Sequence, residues 1–272
     1  MAQVSMTPWR SIATALYTTP RDCRIFGTID ADVTEILEYI KVQREEGNRL
    51  TLTHFVAAAL ARTLDEDVPE INAFVQRGKV ILREDVDVFV SVAIERGKDL
   101  TGVLVRNSHI MSVEEIGSYL NSKVREKRGG KESGTVGQKA SVAKIPWPFR
   151  SWIFGFIRWW GFDLGLKVPF INIPRDPFGS IILSNIGTHG LTTGMAALFP
   201  IGRVPAVITM GKVEERPVVI DGKIQIRSIM PMAAAMDHRI IDGAQGGTLA
   251  RGIKKRLKYP EKLNTVPEKT AD

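Results

Sequence analysis

The sequence predicts a mixed α/β fold, and two observations carry that prediction. Short alternating runs interleave with stretches whose apolar residues recur every three or four positions, so strands and helices share one chain. No internal repeat and no second composition regime interrupts the 272 residues. That length lets one domain bury a substantial core, and a single domain over residues 1–272 is the expectation. Hydrophobic residues are 44% and charged residues 25%, the balance of a globular protein rather than a disordered or fibrous one.

The first clear element is Arg24–Asp30, a short alternating run that reads as a strand. Val33, Ile36, Leu37 and Ile40 then mark one face of a helix. Thr53 reads as the cap of a second helix carrying Phe55, Val56, Ala59, Leu60 and Leu64, and the pattern breaks at Pro69–Ala73. Strand-like runs follow at Lys79–Leu82, Val86–Ile94 and Leu100–Val105. Ser112, with Glu115 three residues on, forms a capping-box pattern ahead of a helix that turns Val113, Ile116, Leu120 and Val124 inward.

Residues 128–139 are rich in Gly, Ser and charge and read as a mobile loop. The last third returns to strands at Ser180–Ser184, Ala206–Val213, Pro217–Ile220, Lys223–Ile229 and Met230–Asp237. Asp221-Gly222 between two of these is a two-residue hairpin signal that needs positive φ. A closing helix from about Ala244 aligns Leu249, Ile253 and Leu257.

Cys23 is the single cysteine, which excludes an internal disulfide framework. Together with the lack of a basic-then-apolar leader, it sets the expectation of a reducing, cytoplasmic home. The net charge of +7 suits nucleic acid, an anionic membrane or a polyphosphorylated ligand equally. No arginine-rich tract or nucleic-acid motif is present, so nucleic acid is not an expected partner. His54, His109 and His189 have no partner at metal-binding spacing, so no catalytic metal is expected. Cys23 reads as an ordinary strand-edge residue. No glycine-rich phosphate loop appears.

The segment Met236–Ala244 lies where an apolar strand gives way to a helix, a junction that projects side chains into a cleft. His238 is the general-base candidate there, because imidazole titrates near neutrality. Asp242, four residues on, is placed to orient the ring or to cap the helix, and Gly243 permits a tight turn. The spacing alone equally allows a structural ion pair among Asp237, Arg239 and Asp242 with His238 as a bystander.

The string Asp237–Ala244 (DHRIIDGA) resembles the signature of the acyltransferase catalytic domain of 2-oxo acid dehydrogenase complexes, and also the histidine motif of the related chloramphenicol acetyltransferases. Leu183–Gly187, Pro205–Lys212, Pro69–Ala73, Val86–Ile94 and Val103–Asn107 resemble core segments of that family in the same order. The resemblance runs from about residue 8 to residue 264. It implies a chloramphenicol acetyltransferase-like fold, a mixed β-sheet flanked by helices, and a trimer or a multiple of trimers with active sites between subunits. It implies coenzyme A-dependent acyl transfer to a thiol such as a lipoyl group, with His238 as base, Ser184 as oxyanion donor, and Thr209 supporting the oxyanion. On their own, Ser184 reads as a strand-end hydroxyl and Thr209 as an ordinary β-branched strand residue. A small-molecule O-acetyltransferase and a non-catalytic scaffold of the same shape are the rival readings.

Two departures from the family are visible. Catalytic-domain patterns begin almost at once, so no lipoyl or peripheral-subunit-binding domain is expected ahead of them. A lipoyl group would then come from a separate lipoyl-carrying protein. The basic motif near the amino terminus is only partly kept in Met6–Leu16. The second departure is the aromatic block 144–178, which with the loop before it makes 128–178 an expected insertion. Arg150, Arg158 and Asp163 interrupt it, and it falls short of the about 20 uninterrupted apolar residues of a spanning helix. Three readings compete: a core helix over the sheet, a wall for a longer acyl group or acceptor, and peripheral membrane contact through 145–162.

Overall fold

The computed structural model describes residues 23–94, 99–128, 152, 155–167, 176–198 and 203–266. The expected loop 128–139 lies almost wholly outside these residues, and the aromatic block lies partly outside them.

Strand β1 (Arg24–Asp32) ends on Asp32, whose Oδ1 accepts the backbone N–H of Thr34 at 3.1 Å and its hydroxyl at 2.7 Å. This Asx arrangement starts helix α1 (Thr34–Glu45), which buries Ile36 and Ile40. Helix α2 (Leu52–Glu66) is capped by Thr51, not by the expected Thr53. The reason is reciprocal: the Thr51 side chain caps the first turn, and Nδ1 of His54 accepts the Thr51 backbone N–H at 3.3 Å. A histidine in the third position replaces the usual Glu or Gln, so the pattern is not legible in the sequence. Every residue from His54 to Leu64 is buried, which places α2 at the centre of the helical layer. Its buried Arg62 donates to the carbonyls of Lys262 at 2.7 Å, Leu263 at 2.9 Å and Thr265 at 2.6 Å, holding the chain's last described turn.

A hairpin of β2 (Ala73–Gln76) and β3 (Lys79–Leu82) follows, turning at Arg77 and Gly78, both at positive φ. The sequence marks only β3, because β2 begins inside the Pro69–Ala73 break. Strands β4 (Val88–Ile94) and β5 (Asp99–Val105) pair antiparallel, and helix α3 (Val113–Arg128) carries the expected capping box. Glu115 N–H donates to Ser112 Oγ at 3.1 Å, and Ser112 N–H donates to Glu115 Oε2 at 2.8 Å.

Strands β6 (Ile181–Asn185), β7 (Ala206–Met210), β8 (Glu214–Ile220) and β9 (Lys223–Asp237) come next, then helices α4 (Gly243–Leu257) and α5 (Pro260–Asn264). The two strands expected on either side of residue 229 are one 15-residue strand. Its exposure falls from Arg227 and is lost by Ile229, where pairing with β8 ends and the strand enters the centre of the sheet, so a change of burial has the look of a break. Asp221 and Gly222 form the β8–β9 turn at φ 49° and 75°, as expected.

One sheet organises the molecule, in the order β1-β9-β7-β6-β4-β5, with β8 added along β9. β6 runs parallel to both β4 and β7, and the other pairs are antiparallel. Alternation assigns its two faces. Ile181, Leu183, Ile208 and Met210 join the main core beneath the helices. Ile182 and Val207 face the other way, against Val204, Phe89 and Phe178.

Candidate active site

The register places Ser91, Ser184, Thr209 and Ala233 in one row across β4, β6, β7 and β9. Ser184 lies one step along from Ile182, on the face away from the helices. Among the described residues no hydrogen bond holds its hydroxyl, so it is not tied to local backbone. Thr209 is different. Its buried hydroxyl donates to the carbonyl of Gly194 at 2.5 Å, fastening the Leu191–Leu198 segment to the sheet.

His238 follows the last residue of β9 and lies at the other end of the sheet. Its backbone N–H donates to the carbonyl of Cys23 at 2.7 Å, and the neighbouring Asp237 N–H donates to Pro205, just before β7. The His238 side chain is half exposed, with Nδ1 3.0 Å from Oδ1 of Asp242. Asp242 is also the N-cap of α4, and its own N–H donates to Gln245 at 3.1 Å. Thus one carboxylate serves ring and helix together.

Asp237 and Arg239 pair with each other and not with Asp242: their closest approach is 2.6 Å. The ion pair and the histidine contact both exist, side by side, so the two readings of this segment divide it. Burial alone would raise the Asp237 pKa, but hydrogen bonds from the Arg239 side chain and backbone and from Cys23 outweigh it and hold it below the usual aspartate value. Cys23 is no mere edge residue: its thiol donates to Asp237 at 3.2 Å, and burial first, then that bond, raises its pKa.

Ala233 pairs with Thr209, which pairs with Ser184, and His238 lies five residues beyond Ala233. Five strand residues span about 17 Å, and two strand spacings add about 10 Å across. His238 and Ser184 of one chain therefore do not meet.

The other histidines sit elsewhere. His54 is buried under Gly117 of α3, and burial drives its pKa down to about 4. His109 and His189 lie in short 3₁₀ turns. Among the described residues no group of three or more His, Cys, Asp or Glu is placed to hold a metal ion. No helix of the described residues is long and apolar enough to cross a membrane.

The described part of the aromatic block winds into a π-helical turn, Arg158–Asp163. Ile157 and Phe162 are buried while Trp152, Phe156 and Trp159 are exposed, Trp152 to 80%. Arg77 N–H donates to the Asp163 carbonyl at 3.0 Å, and Arg203 donates to Gly161 at 3.1 Å and to Phe162. Arg203 also lies over the rings of Phe74 and Phe162. These anchors are isolated arginines far apart in the chain, and no sequence signal marks them.

Comparison with known proteins agrees with this architecture. The profile of the 2-oxoacid dehydrogenases acyltransferase (catalytic domain) matches residues 4–136 and 178–265, leaving 137–177 outside the match. A dihydrolipoyllysine-residue succinyltransferase component of the 2-oxoglutarate dehydrogenase complex from Rickettsia typhi is 27% identical over 196 residues, 72% of this chain and 38% of the relative. The mitochondrial counterpart from Saccharomyces cerevisiae is 25% identical over 240 residues, 86% of this chain and 42% of the relative. The chain thus spans about two-fifths of the length of these relatives. Among solved structures, a probable dihydrolipoamide acetyltransferase from Listeria monocytogenes superposes with a TM-score of 0.65 at 19% identity, covering 100% of this chain and 98% of that one. The dihydrolipoamide acetyltransferase of Azotobacter vinelandii gives 0.64 at 18% identity, covering 97% of this chain and 93% of that one. The catalytic mechanism of that enzyme has been investigated at a serine, a histidine and an asparagine four positions after the histidine. With 221 of its 272 residues inside the profile match, in the order the sheet requires, the chain belongs to the family of 2-oxoacid dehydrogenase acyltransferase catalytic domains.

Proposed function

We propose that the chain is a coenzyme A-dependent acyltransferase, moving an acyl group between coenzyme A and a thiol such as a lipoyl group. The observation that carries this is the His238–Asp242 pair, 3.0 Å apart and open to solvent at the end of β9. With Nδ1–H directed to the carboxylate, Nε2 is left as the proton acceptor. A thiol approaching Nε2 loses its proton as sulfur attacks the acyl thioester. Collapse of the oxyanion that forms breaks the original C–S bond and releases the leaving thiolate, which takes the proton from Nε2. While it lasts, the oxyanion needs a hydrogen-bond donor. Ser184 supplies it, a contribution of about 3 kcal/mol in comparable sites. Thr209 acts by fixing the Gly194 segment beside this row, its hydroxyl lying 2.5 Å from the Gly194 carbonyl and 3.2 Å from that of Ala233.

Because His238 and Ser184 lie at opposite ends of one chain's sheet, the site is complete only between copies. A homotrimer, or a multiple of one, is the assembly proposed. No metal has a part in it.

The test is acyl transfer from a panel of acyl-coenzyme A donors to dihydrolipoamide and, separately, to hydroxyl acceptors. Native chain should transfer to the thiol, and His238→Ala and Ser184→Ala should each lose at least about a hundredfold. Mixing the two inactive variants after dissociation should restore part of the activity, since mixed oligomers contain intact pairs. Transfer only to hydroxyls would favour an O-acetyltransferase. Activity indifferent to His238→Ala would favour a scaffold.

A second reading concerns peripheral membrane contact through 145–162, of which 152 and 155–162 are described. The exposed Trp152, Phe156 and Trp159 beside Arg158 favour it. Co-sedimentation with anionic vesicles, lost in a Trp152→Ala/Trp159→Ala variant, would support it, and no sedimentation would remove it.

A further inference from the structure

The π-helical turn builds one wall of a cleft of about 740 Å³ whose opposite wall is the end of β9. Four arginines line it: Arg24 at the start of β1, Arg158 on the turn, Arg203 before β7, and Arg239 beside His238. Two carboxylates, Asp163 and Asp237, oppose them. Asp237 is already engaged by Arg239 and Cys23. Arg158, which makes no ion pair among the described residues, is left on this lining beside apolar side chains such as Phe162 and Leu198. Low-dielectric walls of this kind focus the field of the charges they hold.

We propose that this cleft binds an anionic group, a carboxylate or phosphate, on the substrate that reaches His238, with Arg158 as its recognising residue. The planar guanidinium fork matches both anions. The inference rests on the acyltransferase reading for its link to His238, but the binding of the anion does not.

Three features single out Arg158. It lies in 137–177, the part of the chain outside the family profile's match. The turn carrying it is held rigidly: Phe162 is buried, Arg203 caps the Gly161 and Phe162 carbonyls, and Arg77 holds those of Asp163 and Leu164. Arg158 itself is exposed, and among the described residues it makes no ion pair. A charge held on an anchored turn, facing a cleft and with no ion-pair partner among the described residues, is preorganised for an external one.

Trp159 and Trp160 adjoin Arg158 and report on the turn. Intrinsic fluorescence titrations with inorganic pyrophosphate and with succinate test binding directly, on the native chain, Arg158→Ala and Arg158→Lys. At least one anion should bind, less tightly as salt rises, and weaken about tenfold or more in Arg158→Ala, the loss of one charge-assisted hydrogen bond. Arg158→Lys should recover part of it. Equal affinity in native and Arg158→Ala proteins of unchanged melting temperature, or no binding of either anion, overturns the proposal. The source of the anion is read from KM. A rise confined to acyl donors ending in a carboxylate assigns the acyl group, and an equal rise for neutral acyl donors assigns the phosphates of coenzyme A. If the chain transfers no acyl group at all, the acyltransferase reading fails while the titration still decides the anion site.

Discussion

The carbonyl of Cys23 accepts the backbone N–H of His238 at 2.7 Å, while the Cys23 thiol donates to the Asp237 carboxylate at 3.2 Å. One residue ahead of β1 thus clamps both the candidate base and the residue before it. The ion pair of Asp237 with Arg239 completes this support.

Asp237→Asn should destabilise the chain by about 2 kcal/mol, because a buried acceptor loses its charge-assisted bonds while Arg239, being more than half exposed, is partly rehydrated. The melting temperature should fall by about 4–8 °C. The Asp237 pKa is depressed in the folded chain, so this contribution is fully present above the unfolded aspartate value and lost as pH falls through the folded one. A calorimetric series at acidic pH should show the native chain approaching the variant there. A variant as stable as the native chain at neutral pH would contradict the clamp.

His54 gives a separate pH dependence. Its folded pKa of about 4 lies below the usual 6.5, because burial penalises the charged ring. The unfolded chain binds a proton as pH drops below 6.5, and the folded chain does so only near 4. Stability should therefore be level above 6.5 and fall between 6.5 and 4, by about 3 kcal/mol in all. Urea unfolding at pH 8 and pH 4.5 measures this. His54→Gln should flatten most of the slope.

Thr209 separates structure from catalysis. Thr209→Val leaves the Gly194 carbonyl without its donor and should cost about 1–2 kcal/mol, whereas Thr209→Ser keeps the bond and should cost less than half of that. If the residue works through Gly194, turnover should follow stability in both variants. Full stability with lost turnover in Thr209→Val would instead point to direct contact with the oxyanion.

Asp242 has two duties that substitution can divide. Asparagine caps a helix as well as aspartate does, so Asp242→Asn should stay within about 0.5 kcal/mol of native, while Asp242→Ala should lose about 1 kcal/mol. Both should lower kcat, Asp242→Ala the more, because asparagine can still accept from His238 Nδ1–H. Asparagine keeps both the helix cap and an acceptor for the ring, so substantial activity in Asp242→Asn is the expected outcome.

Much of this protein is readable in order along the chain. The spacing of Ile36 and Ile40, the Ser112–Glu115 box and the Asp221-Gly222 turn are local signals, set by contacts within a few residues. For the same reason the spacing of His238 and Asp242, four residues apart, is enough to suggest their pairing. Other features depend on residues brought together from afar. Strand β9 is continuous because its pairing with β8, which ends at Ile229 of β9, gives way to pairing with β7 and β1 in the centre of the sheet. The separation of His238 from Ser184 follows from strand order, which no periodicity encodes. The arginine-lined cleft joins residues 24, 158, 203 and 239, whose charges meet only when β1, the inserted turn and the end of β9 close on one another. Short-range capping and amphipathic spacing are written in the sequence, whereas long-range electrostatics arise only once the chain has folded.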